Sequence, residues 1–280
     1  MYVNNNFIFE VSLSQEAYPD NIIANAMSSS KEKPGTRETR KQYGYKSNKG
    51  TSFHRIELTS SELLEKVISG HTFCNCFKIP KKLIHKDGSF GTSCKVNNYF
   101  EFSQVLCVDI DNSKYTKICD FISKLSYKPT FWYTSYNNKK LKNDLVSIRF
   151  HMIYVIQEKI TNIILYRYIV RKLNELIDKE TNEFIEDRSN DQAARYFKGT
   201  CFSNADLVEP EKEITNIIYS FKDFITDEKD FFNFINNNAE YVSTYINNNK
   251  NIRIKSDLEK IKSKISESVN YILFTQQILY

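Results

Sequence analysis

The stretch QVLCVDIDNS, residues 104 to 113, sets two aspartates either side of one isoleucine after an apolar run from Val105 to Val108. Side chains two apart on a strand share a face, which puts these carboxylates roughly 6–7 Å apart by strand rise. They repel each other unless a cation or a donor sits between them. Such a pair can hold divalent metal, and paired metal ions about 3.5–4 Å apart serve phosphoryl and nucleotidyl transfer. Asp-x-Asp-Asn-Ser is also turn chemistry, because Asp and Asn bond their own backbone where strands end. The residues that decide between these readings lie elsewhere in the chain.

Two further segments offer them. In SIRFHMIYVI, residues 147 to 156, Arg149 and His151 are two apart on an expected strand and so share a face. A permanent cationic fork beside a donor of tunable charge suits a triphosphate held against metal, although a lone histidine in an apolar strand is often structural. The nearby NNKKLKND supplies Lys139, Lys140 and Lys142. In FIEDRSNDQAARYFKGT, residues 184 to 200, a short apolar start leads to Asp187, then Asp191, Arg195 and a Gly199-Thr200 turn. A third carboxylate is what a metal site anchored on Asp109 and Asp111 lacks.

In this order the segments resemble the archaeo-eukaryotic primase superfamily, in particular the primase-polymerase domains of plasmid and phage replication proteins. VLCVDIDN is similar to its first motif, RFHMIYV to the histidine-bearing strand of the second, and FIEDRSNDQAARYFKGT to the third. The resemblance covers roughly residues 60 to 205; each motif is short, and the order and spacing carry the match. It implies that Asp109, Asp111 and Asp187 bind catalytic Mg²⁺ or Mn²⁺ and that His151 contacts the phosphates of an incoming nucleotide, with Arg149 and Arg195 as further nucleotide-binding candidates. Two positions depart from the pattern. Arg149 stands where the family has a small residue, and Glu186 precedes Asp187 in place of an apolar one, which keeps Asp191 open as the third acid.

These groups must be positioned by a sheet. Phe7 to Leu13 reads as a strand, and Thr59 with Glu62 three residues on forms a capping box that opens a helix striped by Leu63, Leu64 and Val67. A strand at 104–110, a helix from Lys114 to Leu125, a β-rich TFWYTSY after Pro129, a strand at 147–156 and a helix over 161–178 follow. The expected class is α+β (α/β), with helices packed on one face of a sheet. The resemblance implies a primase-polymerase core with an RRM-like sheet over residues 1–210, and residues 211–280 read as a helical C-terminal extension. Its tail carries Ile254, Leu258, Ile261, Ile265, Val269 and Ile272 close to heptad spacing, and the asparagine runs 236–238 and 247–249 read as loops.

Composition narrows the partners. The chain of 280 residues is 41% hydrophobic with a net charge of +5, ordinary for a soluble globular protein. That charge is uneven. From Met27 to Gly50 seven basic residues face two acidic ones, while from Asp206 to Glu240 nine acidic residues face three lysines. The basic loop is a solvated surface or a phosphate-backbone contact; Arg37, Arg40 and Lys41, with the lysines at 139, 140 and 142, are the nucleic-acid-binding candidates. Six scattered cysteines fit reduced thiols in the cytosol. A zinc group from His71, Cys74, Cys76, His85 and Cys94 matches the usual spacing poorly. No segment reaches the 18–20 apolar residues of a membrane span, and the start lacks a signal-peptide pattern.

The resulting expectation is primer synthesis, with DNA polymerisation as an extension, on a single-stranded DNA template from nucleoside triphosphates during replication of a mobile element. A helicase domain or protein is the further partner the resemblance allows. The alternatives are a replication initiator that binds nucleic acid without polymerising, and a metal-dependent nuclease. A nuclease lacks its usual carboxylate-x-Lys pair beside Asp109 and Asp111.

Overall fold

The computed structural model describes residues 1–15, 17, 52–91, 94–135, 138–139, 141–142, 145–185, 191–200, 210–225 and 228–237. In chain order the strands are β1 (Tyr2–Val3), β2 (Phe9–Ser14), β3 (Ser52–Leu58), β4 (Phe73–Cys74), β5 (Cys76–Phe77), β6 (Phe90–Gly91), β7 (Phe100–Ile110), β8 (Phe131–Thr134), β9 (Leu141–Lys142), β10 (Leu145–Val146), β11 (Phe150–Ile160), β12 (Tyr196–Phe197), β13 (Lys212–Ile214) and β14 (Ile217–Tyr219). The helices are α1 (Ser60–Ile68), α2 (Ile118–Ser123), α3 (Ile163–Thr181) and α4 (Glu228–Asn237). The class is α+β.

The large sheet is built around β11, buried from Phe150 to Ile156 and apolar there apart from His151. One edge of β11 pairs antiparallel with β7, in a register that sets His151 opposite Asp109. The other edge pairs antiparallel with β8 and then parallel with β14. β7 and β8 therefore run parallel with β11 between them, and α2 is their crossover, a split β-α-β arrangement. A separate five-stranded sheet runs β12-β4-β2-β3-β6.

The two sheets share one core. Val11, Leu13 and Phe73 of the small sheet meet Leu63, Leu64 and Val67 of α1 and Val105, Cys107, Phe131, Ile153 and Val155 of the large sheet. Alternation fixes which large-sheet residues face this core, so Asp109, His151 and Tyr133 continue the same rows toward its margin. The opposite face is covered by α2, where Phe121 meets Phe150 edge-on with ring centroids 5.3 Å apart.

Local signals explain several boundaries. Thr59 and Glu62 form the expected capping box on α1. Asn162 caps α3 through Ile164 N and Leu165 N, and Asn182 ends it in the left-handed conformation (φ 52°). The helix expected from Lys114 is shorter, because Ser113, Lys114 and Tyr115 are drawn to the end of α3 by tertiary hydrogen bonds. The strand expected at 147–156 begins at Phe150 and runs on to Ile160. Asn236 and Asn237, expected in a loop, belong to α4.

The expected boundary at residue 210 also moves. β13 pairs with β8 and β14 with β11, so two strands beyond Pro210 complete the large sheet. The chain divides into compact units Met1–Phe234 and Ile235–Tyr280. Composition had hidden this, since the Lys212–Ile214 edge strand is largely exposed. The heptad-like tail and the basic loop at 27–50 lie outside the described residues. Among the described residues, no helix is long and apolar enough to cross a membrane.

Candidate active site

Asp109 is the penultimate residue of β7, and its side chain is only 12% exposed. A carboxylate so buried needs compensating charge or donors, and it has both. Its Oδ1 lies 3.3 Å from His151 Nδ1. Its Oδ2 accepts a hydrogen bond from Arg195 Nη2 at 3.2 Å. The histidine is set by the β7–β11 register, and its ring lies against Tyr133 of β8 with centroids 5.1 Å apart. Tyr133 in turn donates its hydroxyl to Lys198 O at 3.0 Å, and burial holds its phenol well above the usual tyrosine range. Strands β7, β11 and β8 and the residues flanking β12 thus gather around one carboxylate.

Asp111 follows the last residue of β7, and its carbonyl accepts a hydrogen bond from Ser147 Oγ at 3.0 Å. With Asp109 it lines an open cleft whose other wall is Glu183, Phe184 and Ile185. Glu183 accepts hydrogen bonds from Ser113 Oγ at 3.0 Å and Lys114 N at 2.6 Å, which ties the loop after Asp111 to the end of α3. The sequence reading passed over Glu183. Its signal was an acid directly after an Asn that ends a long amphipathic helix. Phe184, 72% exposed, was passed over as well.

The remaining expectations fall out unevenly. Asp187, Lys140, Arg37, Arg40 and Lys41 lie outside the described residues, as does the side chain of Lys142. Asp191 is engaged by Arg167 Nη2 at 3.3 Å and Arg171 Nε at 2.6 Å, both from α3; this is an ion-pair brace between a loop and a helix. Arg149 was expected as a cationic fork beside His151 for nucleotide. It is instead fully buried at 0% exposure, because it precedes β11 where Asn138 and Ser135 bond its backbone and draw it inward. Lys139 is exposed, with Nζ 2.7 Å from Glu211. Phe131, Trp132 and Tyr133 are all buried in the core.

Hard oxygen donors are what Mg²⁺ and Mn²⁺ prefer, and Mg²⁺ sites that work on nucleotides use one or two carboxylates plus substrate phosphates. Asp109 and Asp111 on one cleft fit that description. Among the described residues no three potential ligands form a closed set. The cysteine and histidine group does other work. Cys74 and Cys76 are buried in the strands, and burial pushes each thiol up to about 12, which disfavours the thiolate a metal needs. His71 Nδ1 lies 3.0 Å from Ser14 O.

No family model matches the chain. No curated protein matches it either. Among solved structures it is similar to the AEP domain of the primase-polymerase of cyanophage S-2L, at 8% identity and a TM-score of 0.38, over 79% of this chain and 89% of that one.

Proposed function

We propose that this chain is a metal-dependent nucleotidyltransferase, a primase or primase-polymerase that builds primers from nucleoside triphosphates on single-stranded DNA. The observation that carries the reading is the placement of Asp109 directly opposite His151 on paired central strands, with Asp111 opening onto the same cleft. That juxtaposition agrees with what the first two motifs call for.

Asp109 and Asp111 are the residues that hold Mg²⁺ or Mn²⁺, and Asp187 is the expected third ligand. A metal held there would acidify an attacking 3′-hydroxyl and offset the charge of a leaving pyrophosphate. The chain's own contribution is position and charge. His151, steadied by Tyr133, has its second ring nitrogen as the candidate contact for the nucleotide phosphates. Arg195 brings a guanidinium to the same margin and can pair with phosphate oxygens in a bidentate way. Ser113, Lys114 and Glu183 hold the loop that carries Asp111.

The test is incorporation of labelled ribo- and deoxynucleotides on single-stranded DNA with Mg²⁺ or Mn²⁺, wild type beside Asp109→Asn/Asp111→Asn. New strands from wild type alone are expected. Shortening of end-labelled DNA without synthesis would replace the reading with a nuclease. Equal DNA binding by both proteins with no product would replace it with a non-catalytic initiator.

A further inference from the structure

Both oxygens of Asp109 face a neighbouring nitrogen. Oδ1 lies 3.3 Å from His151 Nδ1 and Oδ2 is bonded to Arg195, so a cation arriving at this carboxylate competes with a group already beside it. Of the two partners, Arg195 is the one built to yield. His151 is fixed by strand register and by Tyr133. Arg195 reaches in on a long side chain, more exposed than the histidine, and its guanidinium also lies 5.9 Å from the Phe197 ring centroid.

Its backbone, by contrast, is pinned. Tyr196 and Phe197 pair with β4. Thr200 N donates to Val67 O at 2.8 Å. Gly199 packs so tightly on the end of α1 that an added Cβ would lie 2.3 Å from His71 O and 2.4 Å from Val67 O. A side chain able to swing from an anchored main chain is suited to exchange partners.

Resting on the metal reading above, we infer that Arg195 is the resting counter-ion of Asp109, displaced when a divalent cation binds. Arg195 neutralises the buried acid while the cleft is unloaded and gives up Oδ2 to the ion, so cation entry and release of the guanidinium are one step. The released cationic head is then free for an anionic substrate, and the metal-free protein avoids an uncompensated buried charge.

The probe is Mn²⁺ alone, titrated into the full chain and followed by the loss of the free-ion electron paramagnetic resonance signal. Arg195→Gln and Arg195→Met, the second keeping an apolar stem over Phe197, are compared with wild type, Lys212→Gln and Asp109→Asn. Both Arg195 variants are made so that either, if folded by its unfolding midpoint, decides. Expected is binding on the order of tenfold tighter without the arginine, the size of one partly buried charge pair. Lys212→Gln removes an exposed charge whose Nζ lies 3.5 Å from Glu65, outside the cleft lining, and it should change binding by less than about twofold. Binding that is unchanged or weaker without Arg195, yet abolished by Asp109→Asn, would overturn the displacement and leave the metal reading standing. Binding that ignores Asp109→Asn would overturn both.

Discussion

Lys95 shows what single residues cost in this fold. Its ammonium is buried 3.7 Å from the Tyr196 ring centroid and 4.8 Å from that of Phe53. Burial lowers its pKa to about 8 despite attraction to Cys74. The folded state therefore binds fewer protons than the unfolded chain between about pH 8 and the ordinary lysine value, so stability rises with pH across that window. Wild type should gain on the order of 3 kcal/mol relative to Lys95→Met between pH 7.5 and 10.5, read from paired denaturant midpoints; parallel curves would contradict it. Gly199 is the second case. Gly199→Ala drives a methyl into two backbone carbonyls of the α1 end and should cost about 1–3 kcal/mol, with a midpoint shift as the readout. Legibility at this scale followed chemistry. Asp109, Asp111 and His151 stood out because acids and a lone imidazole are costly inside apolar strands. Nothing in the sequence distinguished the buried Arg149 from an accessible one, because burial of a long cationic side chain is decided by tertiary packing.

Elements were legible where local rules and packing agreed. The capping box of α1, the apolar spacing along α3 and the largely apolar run of β11 each combine a local signal with a buried face. They failed where distant contacts took over. The stretch from Ser113 to Tyr115 has helical spacing beyond it, yet Glu183, Thr181 and Asn182 capture its hydrogen-bonding groups. This gives Glu183 a role out of proportion to its position after a helix. Glu183→Ala leaves Ser113 Oγ and Lys114 N without their acceptor, so it should lower stability by about 1–2 kcal/mol. By loosening the loop behind Asp111 it should also reduce nucleotide incorporation more than Thr59→Ala does. The cap variant removes about 1 kcal/mol from α1, so comparing the two at matched fraction folded separates positioning from bulk stability.

At the scale of the whole molecule, the site sits where two sheets meet. The large sheet supplies Asp109 and His151, and the segment leading into the small sheet supplies Arg195. Charge patterning bears on the proposed template contact. If Arg37, Arg40 and Lys41 contact the phosphate backbone of single-stranded DNA, neutralising all three should flatten the log affinity against log salt slope by about 2, at about 0.7 per phosphate contact. An unchanged slope would return the loop to ordinary solvated surface. The boundary after Pro210 was illegible because β13 is an exposed edge strand and β14 only three residues long. Their identity comes from pairing with β8 and β11 across distant sequence.

The most direct measurement of the central claim is the rate of labelled nucleotide incorporation on single-stranded DNA in Mn²⁺ by wild type, Asp109→Asn and Asp111→Asn, each verified as folded by its denaturant midpoint. Removing a ligand of the catalytic metal should lower the rate at least about a hundredfold for each single variant. Incorporation by folded Asp109→Asn within a few-fold of wild type would contradict the assignment of this cleft as the site of nucleotidyl transfer.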